Sequence, residues 1–146
     1  MLLRDDILEF ARSLVDTPFH HAARVPGVGI DCVGLIVLTG ARVGSWPSGF
    51  DVLPYPEVPK GMYMRTVCRQ HLVKKSYSSM IAGDIVLVIS DESPQHVGIV
   101  GNYKDTQELS VIHASSIATP PRVVEHPLVF SRRFRFVEAY SFPGVV

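Results

Sequence analysis

The sequence predicts an α+β domain in which N-terminal helices pack on a C-terminal antiparallel β-sheet. Three observations carry that prediction. Apolar residues recur at helical spacing through the first half of the chain. Short β-branched or aromatic runs, separated by turn residues, fill the second half. Helices first and strands second is a segregated order, not the strict alternation that builds parallel sheets. The 146 residues fit one domain spanning 1–146. A chain of that length buries roughly 70% of its unfolded surface, enough for a core without staples.

Leu3, Ile7, Phe10, Ala11 and Leu14 predict an amphipathic helix over residues 3–16. Asp5 and Asp6 stand near its positive end, and Thr17-Pro18 ends it. Residues 19–30 hold Pro26, Gly27 and Gly29 and read as a loop. Asp31 is then the N-cap of a second helix over residues 32–42. Residues 44–59, rich in Gly, Pro and Ser, read as a surface excursion whose Trp46 is either a partner anchor or a core residue. A third helix is expected over 61–74, with Met62, Val67, Leu72 and Val73 apolar. Strands are expected over 84–90, 95–103, 108–114, 122–126 and 133–142.

Composition excludes several classes. Fourteen basic residues cancel fourteen acidic ones, so no positive excess drives phosphate binding and no nucleic-acid role is expected. With 47% hydrophobic residues and no net charge, the chain is not disordered. Its longest apolar stretch, residues 33–41, is about half a membrane span, so no membrane crossing is expected. The acidic Met-Leu-Leu-Arg-Asp-Asp opening is unlike a secretory signal, which predicts a protein made in the cytoplasm. Cys32 and Cys68 form no CxxC and are expected to be thiols.

Cys32 is the most informative residue. In the first turn of a helix, the dipole and free N–H groups favour a thiolate and offer donors to an oxyanion. A thiol nucleophile needs a base, and His96 opens a predicted strand in which Gly98 keeps the same face open. A hairpin centred near residues 104–105 would set His113 directly beside His96, where a second imidazole can orient the first.

Four ordered blocks now stand together: Asp31-Cys32-Val33-Gly34-Leu35, Gly83-Asp84-Ile85-Val86, His96-Val97-Gly98-Ile99 and Ile112-His113-Ala114. Jointly they resemble the NlpC-type peptidoglycan endopeptidases, papain-like cysteine peptidases, over nearly the whole chain. The segment Pro26-Gly27-Val28-Gly29-Ile30 and the ending Ala139-Tyr140-Ser141-Phe142-Pro143-Gly144 resemble the branch found in tailed phages and gene transfer agents. The resemblance implies a papain-like NlpC-type fold with Cys32 as nucleophile, His96 as general base and His113 as its orienter. Asp31, Phe19, His20 and His21 would line the substrate site. No metal or organic cofactor is implied.

The implied substrate is the peptidoglycan stem peptide, cut between D-glutamate and the diamino acid. The implied setting is a phage-type tail tip or baseplate, with the protein in the virion tail acting at the host cell wall. Phe19 stands where the family has a tyrosine, so one oxyanion donor is missing or is supplied by His20 or His21. Val33 replaces a common serine. A structural tail-tip plug with the same fold is therefore the alternative, and an amidase acting on another wall bond is a third reading.

The remaining candidates read as structural. Cys68 and His71 share a helix face but lack the further ligands a zinc site needs. His20 and His21 suit a pocket wall better than a loop metal site. His126 is expected simply to end a strand, and Arg132-Arg133-Phe134-Arg135 to be a solvated strand face.

Overall fold

The computed structural model describes residues 1–58, 60–103 and 106–146. Helix α1 (Arg4–Ser13) forms on the expected periodicity and buries Ile7, Leu8 and Ala11. The segment read as a loop after it contains a minimal hairpin, β1 (Arg24–Val25) and β2 (Gly29–Ile30), with Arg24 opposite Ile30. Gly27 turns it at φ +76°, a backbone region that favours glycine. Asp31 caps helix α2 (Cys32–Arg42), accepting the Gly34 N–H at 2.8 Å. Seven α2 residues, Leu35, Ile36 and Val37 among them, are buried, as suits a helix with so few polar positions.

Helix α3 (Tyr63–His71) stops earlier than its apolar spacing predicts. Leu72 turns extended, and β3 (Val73–Lys75) pairs Val73 with Ser141 at the sheet edge. Cross-strand pairing of a β-branched residue here overrides a weak helical pattern. A single 3-10 turn (Tyr77–Ser79) leads to β4 (Ile85–Ser90), β5 (His96–Asn102), β6 (Leu109–Ser115), β7 (Arg122–Pro127) and β8 (Phe134–Ser141). They form a six-stranded sheet in the order β3-β8-β4-β5-β6-β7, antiparallel throughout. The α+β expectation is borne out.

Both faces of this sheet are covered. Ile85, Leu87, Val97, Ile99, Ile112, Ala114 and Tyr140 join the helices in one core. Val86, Val88, Val100, Val111 and Ala139 form a second core under Leu128, Phe130, Phe134 and Phe136. That is why the central strands read as unbroken apolar runs rather than alternating ones. At the start of β4, Gly83 adopts φ +93° and Asp84 is fully buried. The Asp84 carboxylate binds Arg4 Nη1 and Lys75 Nζ, each at 2.6 Å, and accepts the Ile81 N–H at 2.8 Å. One side chain thus ties α1 and β3 to the central sheet. No helix among the described residues is long and apolar enough to cross a membrane.

Residues 44–58 form the surface excursion the composition implied, mostly exposed but pinned to the core by Trp46. Trp46 stacks on Phe50 at 4.7 Å and meets Phe142 edge-on at 5.6 Å, so its core reading holds. It lies over Gly40, where a Cβ would come within 2.3 Å of the indole. Gly40→Ala gains about 1 kcal/mol of helix propensity and loses about 1–3 kcal/mol to overpacking. The indole is boxed in by two phenyl rings, so overpacking wins. We expect a net loss of about 1–2 kcal/mol in urea unfolding, followed by the fluorescence of Trp46.

Candidate active site

The first turn of α2 and the first residue of β5 meet at one end of the sheet. Cys32, half-buried at the helix start, and buried His96 at the strand start line the same cleft of about 180 Å³. Phe19, His21, Asp31, Tyr55 and Glu92 also line it. Five of the residues expected at the site, Phe19, His21, Asp31, Cys32 and His96, thus share one cleft, and His113 and His20 are not in its lining. His20 is exposed and does not line the cleft, whereas its neighbour His21 does.

His113 reaches His96 by a different register from the one expected. The turn residues Lys104 and Asp105 lie outside the described residues, but the flanking pairs set Ile99 opposite Ile112 and Asn102 opposite Leu109. Continued one step, this register puts His113 against Gly98, so the two histidines are diagonal neighbours rather than directly opposite. Long side chains bridge such diagonals. His96 Nε2 and His113 Nδ1 lie 2.7 Å apart. Gly98 is required at this point, since a Cβ there would lie 2.8 Å from Val111 Cγ2 and 3.2 Å from His113 Cβ.

The chain of imidazoles continues to His126, which does more than end a strand. His113 Nε2 stands 2.8 Å from His126 Nε2, and His126 Nδ1 stands 2.9 Å from the Pro127 carbonyl. With neutral rings, that carbonyl orders every tautomer. It can only accept, so His126 carries its hydrogen on Nδ1 and accepts at Nε2. His113 must then donate from Nε2 and accept at Nδ1, and His96 must donate from Nε2. The bare lone pair at the end of the chain is His96 Nδ1, the nitrogen free to take a proton from a thiol.

Burial sets the charges. It pushes the His96 pKa down to about 4, with the His126 charge acting the same way. Burial and then the His96 charge lower His113 as well. The Cys32 thiol is pushed up to about 12, first by burial and then by the Asp31 carboxylate, while the Val97 and Val33 N–H groups pull the other way. The expected thiolate therefore does not form at rest. The helix start favours it, but desolvation and an adjacent carboxylate outweigh that effect. No hydrogen bond among the described residues joins Cys32 Sγ to an imidazole, and His96 Nε2 is engaged by His113. The resting pair is a neutral thiol and a neutral base.

This predicts a pH response. With Cys68→Ala as background, alkylation of Cys32 by iodoacetamide should climb about tenfold per pH unit from 7 to 10, because the thiolate fraction rises as pH approaches the pKa from below. A rate that plateaus near neutrality would mean an ion pair instead.

Asp31 shapes the cleft through its own bonds. Its Oδ1 accepts from Gly34 N and, at 3.0 Å, from Arg24 Nη1. Its Oδ2 accepts from Ala22 N at 2.8 Å and from the Tyr55 hydroxyl. Burial, reinforced by that Asp31 bond, pushes the Tyr55 pKa up, so the phenol stays protonated. Phe19 lacks a hydroxyl, and the phenol that lines the same cleft is that of Tyr55, from a segment read as surface. A buried carboxylate before the nucleophile demands donors, and that demand was the available signal for Tyr55 and Arg24. Glu92 was also missed. It sits in the β4–β5 turn, its Oε2 3.7 Å from His113 Nδ1 and 4.0 Å from His96 Nε2. Cys68 is buried, a free thiol pushed up to about 12 chiefly by burial, and its structural reading stands.

No family model matches the chain, and no curated protein matches it. Solved structures do. The NlpC/p60 domain of the peptidoglycan hydrolase SagA superposes with TM-score 0.60 at 22% identity, covering 94% of this chain and 97% of that one. An NlpC/P60 family protein from Bacillus cereus gives 0.62 at 16% identity, covering 95% of this chain and 40% of that one. NlpC2 from Trichomonas vaginalis gives 0.63 at 16%, covering 95% and 46%. This chain thus spans less than half the length of those last two proteins. Three helices and a six-stranded antiparallel sheet match the fold of these NlpC/p60 neighbours.

Proposed function

We propose that this protein is a cysteine peptidase that hydrolyses an amide of the peptidoglycan stem peptide, the bond between D-glutamate and the diamino acid. The observation that carries the reading is the cleft that gathers Cys32 with a histidine whose tautomer is fixed from behind. The similarity in fold to the domain of a peptidoglycan hydrolase supports the substrate class.

The steps follow from the charges at rest. Cys32 Sγ attacks the amide carbon as its proton passes to His96 Nδ1, and the C=O pair moves onto oxygen. Collapse breaks the C–N bond, and the His96 proton goes to the departing amine. Water then adds to the thioester, giving its proton to His96. The S–C bond breaks, and the sulfur recovers a proton. Because the thiol starts neutral, proton transfer and attack are coupled.

We place this activity in a phage-type tail tip at the host cell wall, on the resemblance of residues 26–30 and 139–144 to that branch. A structural plug is the second reading, favoured by Phe19 and by the missing Cys32–His96 bond. Mass spectrometry of purified muropeptides incubated with wild type and Cys32→Ala decides between them. Fragments cut at the D-glutamyl bond by wild type alone support the peptidase. No fragments from a folded wild type favour the plug.

A further inference from the structure

We propose that Glu92, His96 and His113 form a binding site for a zinc(II) ion, and that the ion switches the cleft off. Glu92 Oε2, His96 Nε2 and His113 Nδ1 lie within 4.8 Å of one another. Their separations are 2.7, 3.7 and 4.0 Å. An ion bound at about 2.0–2.1 Å in tetrahedral geometry holds its ligands about 3.3 Å apart. The imidazoles need to part, and the carboxylate to close, by only about half an ångström each.

The second observation is Glu92 itself. Its side chain is only 5% exposed, and Oε1 is held by the Ser116 N–H and hydroxyl. Oε2 faces the two imidazoles beyond hydrogen-bonding range. Among the described residues, no lysine or arginine forms an ion pair with it. A nearly buried carboxylate without a cation is costly, and a cation between it and two nitrogens relieves that cost. Two imidazoles and one carboxylate suit zinc, whereas calcium and magnesium prefer all-oxygen shells. Glu92 and His96 both line the cleft, so the ion has an entrance.

Binding would move one proton. His96 Nε2 gives up its hydrogen to coordinate, and the neutral ring takes a hydrogen at Nδ1 instead. The ring's charge is unchanged, yet the lone pair that would accept the Cys32 proton is gone. His113 already presents a lone pair at Nδ1, and its bond to His126 supports it from outside the coordination shell.

The test is titration of the full chain with zinc(II) alone, by calorimetry, for wild type, Cys32→Ser, Glu92→Gln and His113→Ala. We expect one equivalent bound by wild type and by Cys32→Ser. Glu92→Gln and His113→Ala should each bind at least tenfold more weakly, with folds verified by circular dichroism. Cobalt(II) added to wild type should give the visible bands of four-coordinate nitrogen and oxygen ligation. Failure of wild type to bind, undiminished wild-type affinity in the two ligand variants, or a thiolate charge-transfer band lost in Cys32→Ser would overturn the site. These readouts use no substrate, so they stand or fall independently of the peptidase reading. Only the switching consequence rests on that reading, and it predicts that one equivalent of zinc stops cleavage and a chelator restores it.

Discussion

On the proposed peptidase reading, Cys32→Ala is expected to lower stem-peptide cleavage by about 10⁴-fold or more, because Cys32 is the only thiol among the described residues that line the cleft. The substitution removes one half-buried sulfur at the cleft wall, so circular dichroism and thermal unfolding should barely change. The contrast with Cys68→Ala makes the test sharp. Cys68 is buried in the helix-side core, and its loss should cost about 1 kcal/mol of stability and leave the cleavage rate intact. Progress curves for the two variants on one substrate check both halves. Equal rates for wild type and Cys32→Ala would remove Cys32 from the chemistry.

Asp84→Ala is expected to be the most damaging single change to the fold. It leaves Arg4, Lys75 and the Ile81 N–H facing a hole where a fully buried carboxylate stood. Breaking such a group costs about 3–5 kcal/mol. The Arg4 and Lys75 side chains keep 20% and 17% exposure, so water recovers part of the loss. The lower end, about 3 kcal/mol, is therefore expected. At about 2–4 °C per kcal/mol for a chain of this length, Tm should fall by about 6–12 °C. Thermal unfolding followed by circular dichroism reads this directly, and a fall under about 2 °C would mean the ion cluster is solvated rather than structural.

Much of this architecture was legible because it is local. The α2 helix and its Asp31 cap, the five long strands, and Cys32 at a helix start all follow from spacing and capping along one stretch of chain. His96 and His113 were legible as partners, yet their register was not. One residue more or less in a turn moves the pairing, and residues 102–107 contain nothing that fixes the turn type. Tyr55, Glu92 and His126 were illegible for another reason. Each reaches the site from a segment whose own pattern says only turn, loop or strand end, and only the fold brings it within reach of Asp31, His113 or His96. The charge state of Cys32 was misjudged because a helix start is visible in sequence and desolvation is not.

The position of β8 bears on when the cleft comes into being. Because β8 lies between β3 and β4, the sheet cannot be completed as the chain emerges from the ribosome; it waits for the segment that carries Phe134–Ser141. Until then β4 offers an open edge, and the helix layer lacks Tyr140 as well as Phe142, the ring that meets Trp46 edge-on. A nascent or C-terminally clipped chain thus carries the thiol and all three imidazoles without the scaffold that aligns them. Synthesis order itself delays the assembly of the cleft until translation has passed β8.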